Sequence, residues 1–144
     1  MAHEQARAAR EMIGLHTNVV LRLLLNDDPK QRLRAASAIA QAKKSDITVT
    51  ITLAVVLELE WVLRSSAKMS KAQILSVFNL LLESYDIEID NEKVLEQALH
   101  IYDGSAADFA ECLFLAQYQR MGCHTMLTFD NKAARMTGGQ LVAG

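Results

Sequence analysis

The sequence predicts an α/β fold: a three-layer arrangement with a mostly parallel sheet of four to five strands and helices on both faces. Three observations predict it. Short apolar, β-branched segments alternate with longer amphipathic ones along the chain, the pattern of successive βα units. Cap and turn residues stand between them, at Asn26-Asp-Asp-Pro29, at Asp103-Gly-Ser105 and at Gly122. The length of 144 residues, with no internal repeat and no low-complexity linker, suits one domain with one core.

The elements follow in order. Met1 to Arg10 is charged and Ala-rich, so residues 1–11 read as a helical extension and 12–144 as the domain. Met12 to Leu15 is a short apolar run suited to a buried strand, and Val19 to Leu25 is apolar enough for a buried helix. His16, Thr17 and Asn18 then fall at the carboxyl end of a strand, the edge where open α/β sheets bind ligands. Asp28 can cap a helix with Pro29 at its first position. That helix runs to Lys44, with Leu33, Ala36, Ile39 and Ala40 on one face. Asp46 to Ile51 alternates like a strand.

Leu53 to Arg64 is apolar almost all round, apart from Glu58 and Glu60, and reads as a central helix. Ser70-Lys-Ala-Gln73 is a capping-box pattern. The helix it opens presents Ile74, Val77, Phe78 and Leu81. Tyr85 to Ile89 is the third strand, and Asn91 to Tyr102 a helix with Val94, Leu95, Ala98 and Leu99 inward. Ala106 to Arg120 is a long helix, and Gly122 stands where a left-handed C-cap glycine belongs. His124 to Phe129 is the fourth strand, Asp130 to Met136 a short helix, and Gln140 to Ala143 an edge strand.

The bulk numbers exclude several classes. A net charge of −2 argues against coating nucleic acid by bulk charge, while leaving room for local basic patches. No apolar run is long enough to span a bilayer, and the N-terminal segment has no apolar core of its own, so it does not read as a secretory signal. Cys112 and Cys123 have neither metal-ligand spacing nor a disulfide framework; they read as two reduced thiols in a cytoplasmic protein.

The acids carry the chemistry. Asp108 and Glu111 are three apart and share one helix face. Asp108 has a structural role available, because Ser105-Ala-Ala-Asp108 is itself a capping signature. Glu111 lies among Phe109, Cys112, Leu113 and Leu115, where a lone carboxylate is costly. Glu58 and Glu60 are about 200° apart around a helix, so they cannot both face one point; one can be solvated while the other runs beside apolar surface, and a buried acid needs a partner or a metal. The pattern does not say which. Asp130 ends a strand and can cap the helix after it. Taken singly, each acid has a structural explanation. Taken together, Glu58, Asp108, Glu111 and Asp130 are placed to converge on His16. Carboxylates brought that close repel unless a cation sits among them, and oxygen ligands favour Mg²⁺ or Mn²⁺.

Four segments, in this order and spacing, resemble the PIN-domain nucleases, specifically the VapC-type toxins of bacterial toxin–antitoxin pairs. They are Ile13-Gly-Leu-His-Thr-Asn-Val-Val-Leu-Arg22, Val56-Leu-Glu-Leu-Glu-Trp-Val-Leu-Arg64, Ala107-Asp-Phe-Ala-Glu-Cys-Leu113 and Leu127-Thr-Phe-Asp-Asn131. The resemblance implies a metal-dependent endoribonuclease acting on RNA with Mg²⁺ or Mn²⁺, a protein antitoxin and a homodimer. It places the second acid on Glu58, with Glu60 spare, the third segment on Asp108 to Glu111, and the last acid on Asp130, with Thr128 beside it. The implied catalytic set is His16, Glu58, Asp108, Glu111 and Asp130, with His16, Glu58, Glu111 and Asp130 as metal ligands.

Two positions depart from the pattern. The resemblance implies aspartate at position 16, where this chain has histidine, and usually at position 111, where it has glutamate. Glutamate keeps the charge. Histidine removes one and offers nitrogen to a site suited to hard cations. One pair of unit charges about 4 Å apart at an effective dielectric of 20 is worth roughly 4 kcal/mol before desolvation, so His16 either weakens the site, marks a natural or engineered loss of activity, or itself ligates Mn²⁺ or Zn²⁺. The alternative reading is a non-catalytic binding module on the same fold. Arg22, Lys43 and Arg120 are candidate contacts for RNA.

Overall fold

A computed structural model describes residues 10–143. The expected helical extension lies, up to residue 9, outside the described residues. The chain enters through Arg10, whose guanidinium pairs with Glu88 at 3.2 Å, and through the Glu11 carbonyl, which accepts from the Thr48 N–H.

Strand β1 (Met12–Gly14) runs parallel to β2 (Thr48–Ile51), with Ile13 opposite Val49. β2 runs parallel to β3 (Glu88–Ile89), with Ile51 opposite Ile89. Among the described residues, β4 (Met126–Thr128) pairs only with β5 (Gly139–Leu141), in parallel. The single sheet expected from sequence is therefore two parallel sheets among the described residues, of three strands and two. Strands this short carry few ladder bonds to join one sheet to the next.

The strands are shorter than expected because side chains turn the backbone at their ends. The Ser84 hydroxyl accepts from the Asp86 N–H at 3.1 Å, so Tyr85 stands out of β3 and is 99% exposed. Thr128 Oγ1 accepts from the Asp130 N–H at 3.0 Å and ends β4 before Phe129. Such local side-chain bonds compete with the ladder.

Helix α1 (Thr17–Leu24) follows β1, and α2 (Pro29–Lys44) is capped by Asp28, whose carboxylate accepts from the Gln31 N–H at 3.0 Å. Only Ile39 and Ala42 of α2 are buried. The expected face of Leu33, Ala36, Ile39 and Ala40 is thus only partly used, and Leu33 is exposed. The helix meets α1 and β2, and its apolar pattern extends past what those neighbours cover.

Helix α3 (Leu53–Ser65) is central, touching α1, α4 (Lys71–Glu83) and α6 (Phe109–Met121). Its Val56, Leu59 and Leu63 are fully buried. The capping box of α4 forms in both directions between Ser70 and Gln73. α5 (Glu92–Asp103) and α6 make the most extensive interhelix contact. An aromatic cluster joins three of these helices. Phe78 stacks on Phe109 with centroids 5.5 Å apart, and Tyr102 meets Phe109 edge-on at 5.5 Å. Aromatic pairs of this geometry add about 0.5–1.5 kcal/mol beyond area burial.

α6 begins three residues later than the capping signature suggests. Ser105 Oγ accepts from the Ala107 N–H at 3.0 Å, closing a turn ahead of the helix, and Asp108 is the N-cap residue. At the other end, Gly122 takes the left-handed conformation at φ 95° and ends the helix as its spacing implies. The last helix, α7 (Asn131–Ala134), is one turn long.

Candidate active site

His16 is the N-cap of α1, in extended backbone directly after β1. Its Nδ1 accepts from the Asn18 N–H at 3.2 Å. A ring that accepts at Nδ1 carries its proton on Nε2. The side chain is exposed, while Thr17 beside it is buried. Of the three polar residues at this strand end, one is therefore packed into the core.

Asp130 is the N-cap of α7. Its Oδ1 accepts from the Ala133 N–H at 2.8 Å, leaving Oδ2 outside that bond. The residue is exposed. Asp108 caps α6 only through its backbone, since its side chain makes no cap hydrogen bond. It is exposed while the next residue, Phe109, is buried in the aromatic cluster. The stacked ring thus fixes the backbone from which the carboxylate projects. Glu111 is half-buried in the first turn of the same helix, where aligned peptide dipoles favour a negative charge.

The two α3 acids divide as the 200° separation requires. Glu58 is the solvated one. Glu60 is 3% exposed, and both its oxygens take bonds from Arg64, Nε to Oε2 at 2.9 Å and Nη2 to Oε1 at 3.5 Å. The carboxylate, next to the guanidinium, raises the Arg64 pKa above its ordinary value, with a smaller contribution from the charge of Asp108. Arg64 thus feels the charge of an accessible acid as well as that of the buried one. Burial, then the charge of Glu60, raises the Tyr102 hydroxyl pKa.

Lys71 was not singled out by the sequence pattern. Its Nζ donates to the Ser105 carbonyl at 2.7 Å and stands 4.4 Å from the centroid of the Tyr102 ring. It thereby ties the start of α4 to the turn that precedes Asp108. Spacing along one helix could have indicated the Glu60–Arg64 pair, four residues apart. Nothing local indicates the Lys71 contact, which spans 34 positions. Two of the basic candidates are already engaged: Arg22 pairs with Asp27 at 2.7 Å and Lys43 with Asp86 at 2.7 Å. Arg120 forms no salt bridge among the described residues.

Cys112 is buried, with its Sγ 3.8 Å from the Met136 sulfur, and Cys123 is exposed. Burial pushes the Cys112 thiol up to about 11. That is the behaviour of an inert core thiol.

The PIN domain family matches residues 14–139 of the chain. No curated protein matches it. PIN domains are generally nuclease modules, and the nucleases among them generally use divalent metal ions. The side chains as they stand do not fit such an ion. Among the described residues, no three His, Cys, Asp or Glu side chains are grouped to share one. The donor at position 16 is an imidazole whose Nδ1 is engaged, and one oxygen of Asp130 is held by its own helix. On the match over residues 14–139, most of its length, this chain belongs to the PIN domain family.

Proposed function

We propose that this chain is a VapC-type toxin: an endoribonuclease that hydrolyses RNA phosphodiester bonds, is neutralised by a cognate protein antitoxin, and is weakened by His16. The observation that carries the reading is the coincidence of the family match over residues 14–139 with accessible acids at Glu58, Asp108 and Asp130. Hydrolysis of a phosphodiester needs an oriented water and an acceptor for its proton. Solvated carboxylates can serve both needs, whereas Glu60, held by Arg64, cannot. Within this reading the reacting set is His16, Glu58, Asp108, Glu111 and Asp130. His16 is its weak member, since it replaces a negative charge with a neutral ring. In the family the ion is Mg²⁺ or Mn²⁺; the arrangement of these side chains gives no basis for a step through either.

Association is part of the same proposal. Trp61, Leu80 and Phe129 are large apolar side chains at 59%, 66% and 84% exposure, and exposed apolar surface marks interfaces when it is contiguous. Most of the α4 face expected to be sticky is used internally, because Ile74, Phe78 and Leu81 are buried. Leu80 is the large apolar residue of α4 left outside. Co-expression with a candidate antitoxin and sedimentation of the isolated chain test this part. A monomer at high micromolar concentration that captures no antitoxin would count against it.

The direct test is cleavage of a broad RNA pool by the purified chain with Mg²⁺, with Mn²⁺ and with EDTA. Weak cleavage abolished by EDTA supports the reading. A second reading, a non-catalytic PIN-fold binding module, is favoured by the ungrouped acids and by the imidazole at position 16. It predicts RNA or protein binding without cleavage under any of the three conditions.

A further inference from the structure

The turn between α5 and α6 faces the last helix across an open cleft of about 460 Å³. His100 and Ser105 line one side, and Lys132, Arg135 and Thr137 the other. The chain as a whole has more acids than bases, 17 against 15, yet no carboxylate lines this cleft. Its lining is therefore net positive in a net-acidic chain. Among the described residues, the His100, Lys132 and Arg135 side chains make no ion pair and donate no hydrogen bond to the protein. Their donors remain available to a ligand.

One wall is rigid. Lys71 holds the Ser105 carbonyl, and Ser105 Oγ holds the Ala107 N–H. The cleft also adjoins two of the acids along the chain. Asp108 lies two residues beyond the lining residue Ala106, and Asp130 two residues before Lys132. Two steps of the backbone cover at most about 7.6 Å. A group held in the cleft would thus lie close to the segments that carry Asp108 and Asp130.

We infer that this cleft is a phosphate subsite for single-stranded RNA. In it, Arg135 and Lys132 take the non-bridging oxygens of a backbone phosphate, and His100 and the Ser105 and Thr137 hydroxyls border the sugar. Arginine presents paired N–H donors that match a phosphate, and lysine adds a compact charge. The inference rests on the RNA-directed reading above and extends it. The cleft fixes the register of the strand, while the neighbouring acids face the next linkage.

The test is binding of a labelled single-stranded RNA of mixed sequence by fluorescence anisotropy, in EDTA and at several salt concentrations. Lys132→Ala/Arg135→Ala is compared with Lys30→Ala/Lys93→Ala, which removes the same charge from exposed positions elsewhere. The cleft variant is expected to bind about tenfold more weakly. Its salt dependence should also flatten by about 0.7, the contribution of one single-strand phosphate contact to the slope. The control is expected to change affinity less than twofold. Lys132→Arg should keep near-parental binding. Circular dichroism checks that each variant folds, and Lys132→Glu alone serves if the double variant does not. If the parent binds RNA and the cleft variant matches the control, the subsite is overturned while the RNA-directed reading stands. If the parent neither binds nor cleaves RNA, both fall.

Discussion

Glu60 and Arg64 face each other one turn apart on the central helix, with Nε 2.9 Å from Oε2, the acid 3% exposed and the arginine side chain 51% exposed. The helix buries a charge in the core and supplies its partner from its own next turn.

The first prediction follows from that asymmetry. Arg64→Ala leaves a buried carboxylate without its partner, whereas Glu60→Gln leaves an exposed arginine that water can solvate. Removing one partner of a fully buried pair costs about 3–5 kcal/mol, and the half-exposed arginine reduces this to about 1–2 kcal/mol through solvent screening. Arg64→Ala should therefore destabilise more than Glu60→Gln in urea denaturation at pH 7. Equal losses would show that the pair contributes little.

This pair also shows how much the sequence discloses. Caps are local, so Asp28, Ser70 with Gln73, Gly122 and Asp130 are all readable from a few neighbouring residues. Helix α3 is readable because apolar residues cover it on nearly every side. Strand pairing is not local. Nothing within Met126–Thr128 or Met12–Gly14 says that their ladders belong to separate sheets, and Leu33 looks like core until its neighbours are known to fall short of it. The same limit holds for the site. The candidate acids are visible in the sequence, as is the fact that the two α3 acids cannot face the same point. Which one is buried, and the Lys71 tie to Ser105, depend on contacts between distant segments.

A second prediction concerns the thiols. Cys123 is exposed and Cys112 buried with a thiol raised to about 11. A thiol reagent at pH 8 should modify one cysteine rapidly and the other only on unfolding. The raised value has a stability consequence. Below about pH 9 both folded and unfolded chains keep this thiol protonated. Between about 9 and 11 only the unfolded chain loses the proton, so stability falls as pH rises through that range, by at most about 3 kcal/mol. Tyr102, raised in the same direction by burial, adds to the alkaline loss. Cys112→Ala should flatten the decline, as followed by thermal melts from pH 8 to 11.

A third prediction tests the junction of α7 and β5. A methyl group on Gly139 would overlap the Ala133 carbonyl, which is backbone and cannot swing aside. Gly139→Ala should cost about 1–3 kcal/mol through overpacking and displace the short helix that Asp130 caps. Gly14→Ala meets no atom within 4 Å and should be nearly neutral. Comparing the two by chemical denaturation separates close backbone approach from the general effect of replacing glycine. If the displaced helix also carries the reacting acid, RNA cleavage falls with Gly139→Ala and not with Gly14→Ala.

The last prediction concerns His16→Asp. Position 16 is a helix N-cap whose side chain already accepts the Asn18 N–H. Aspartate is among the best residues for that place, and its charge is favoured by the α1 dipole. The substitution should therefore leave stability unchanged or raise it slightly. Its effect on chemistry should be larger. A carboxylate replaces the imidazole at the strand end and supplies the oxygen ligand that a hard cation prefers. On the ribonuclease reading, His16→Asp should cleave RNA in Mg²⁺ more strongly than the parent, by about tenfold or more, and be more toxic when expressed alone. Adding Glu58→Ala should abolish the gain, because both acids would act through one centre. EDTA should abolish it as well. If the parent cleaves as well as His16→Asp in Mg²⁺, the imidazole is no defect. If neither cleaves a broad RNA pool while both bind it, the chain is a PIN-fold binding module, and the exposed carboxylates at Glu58, Asp108 and Asp130 serve solvation and capping alone.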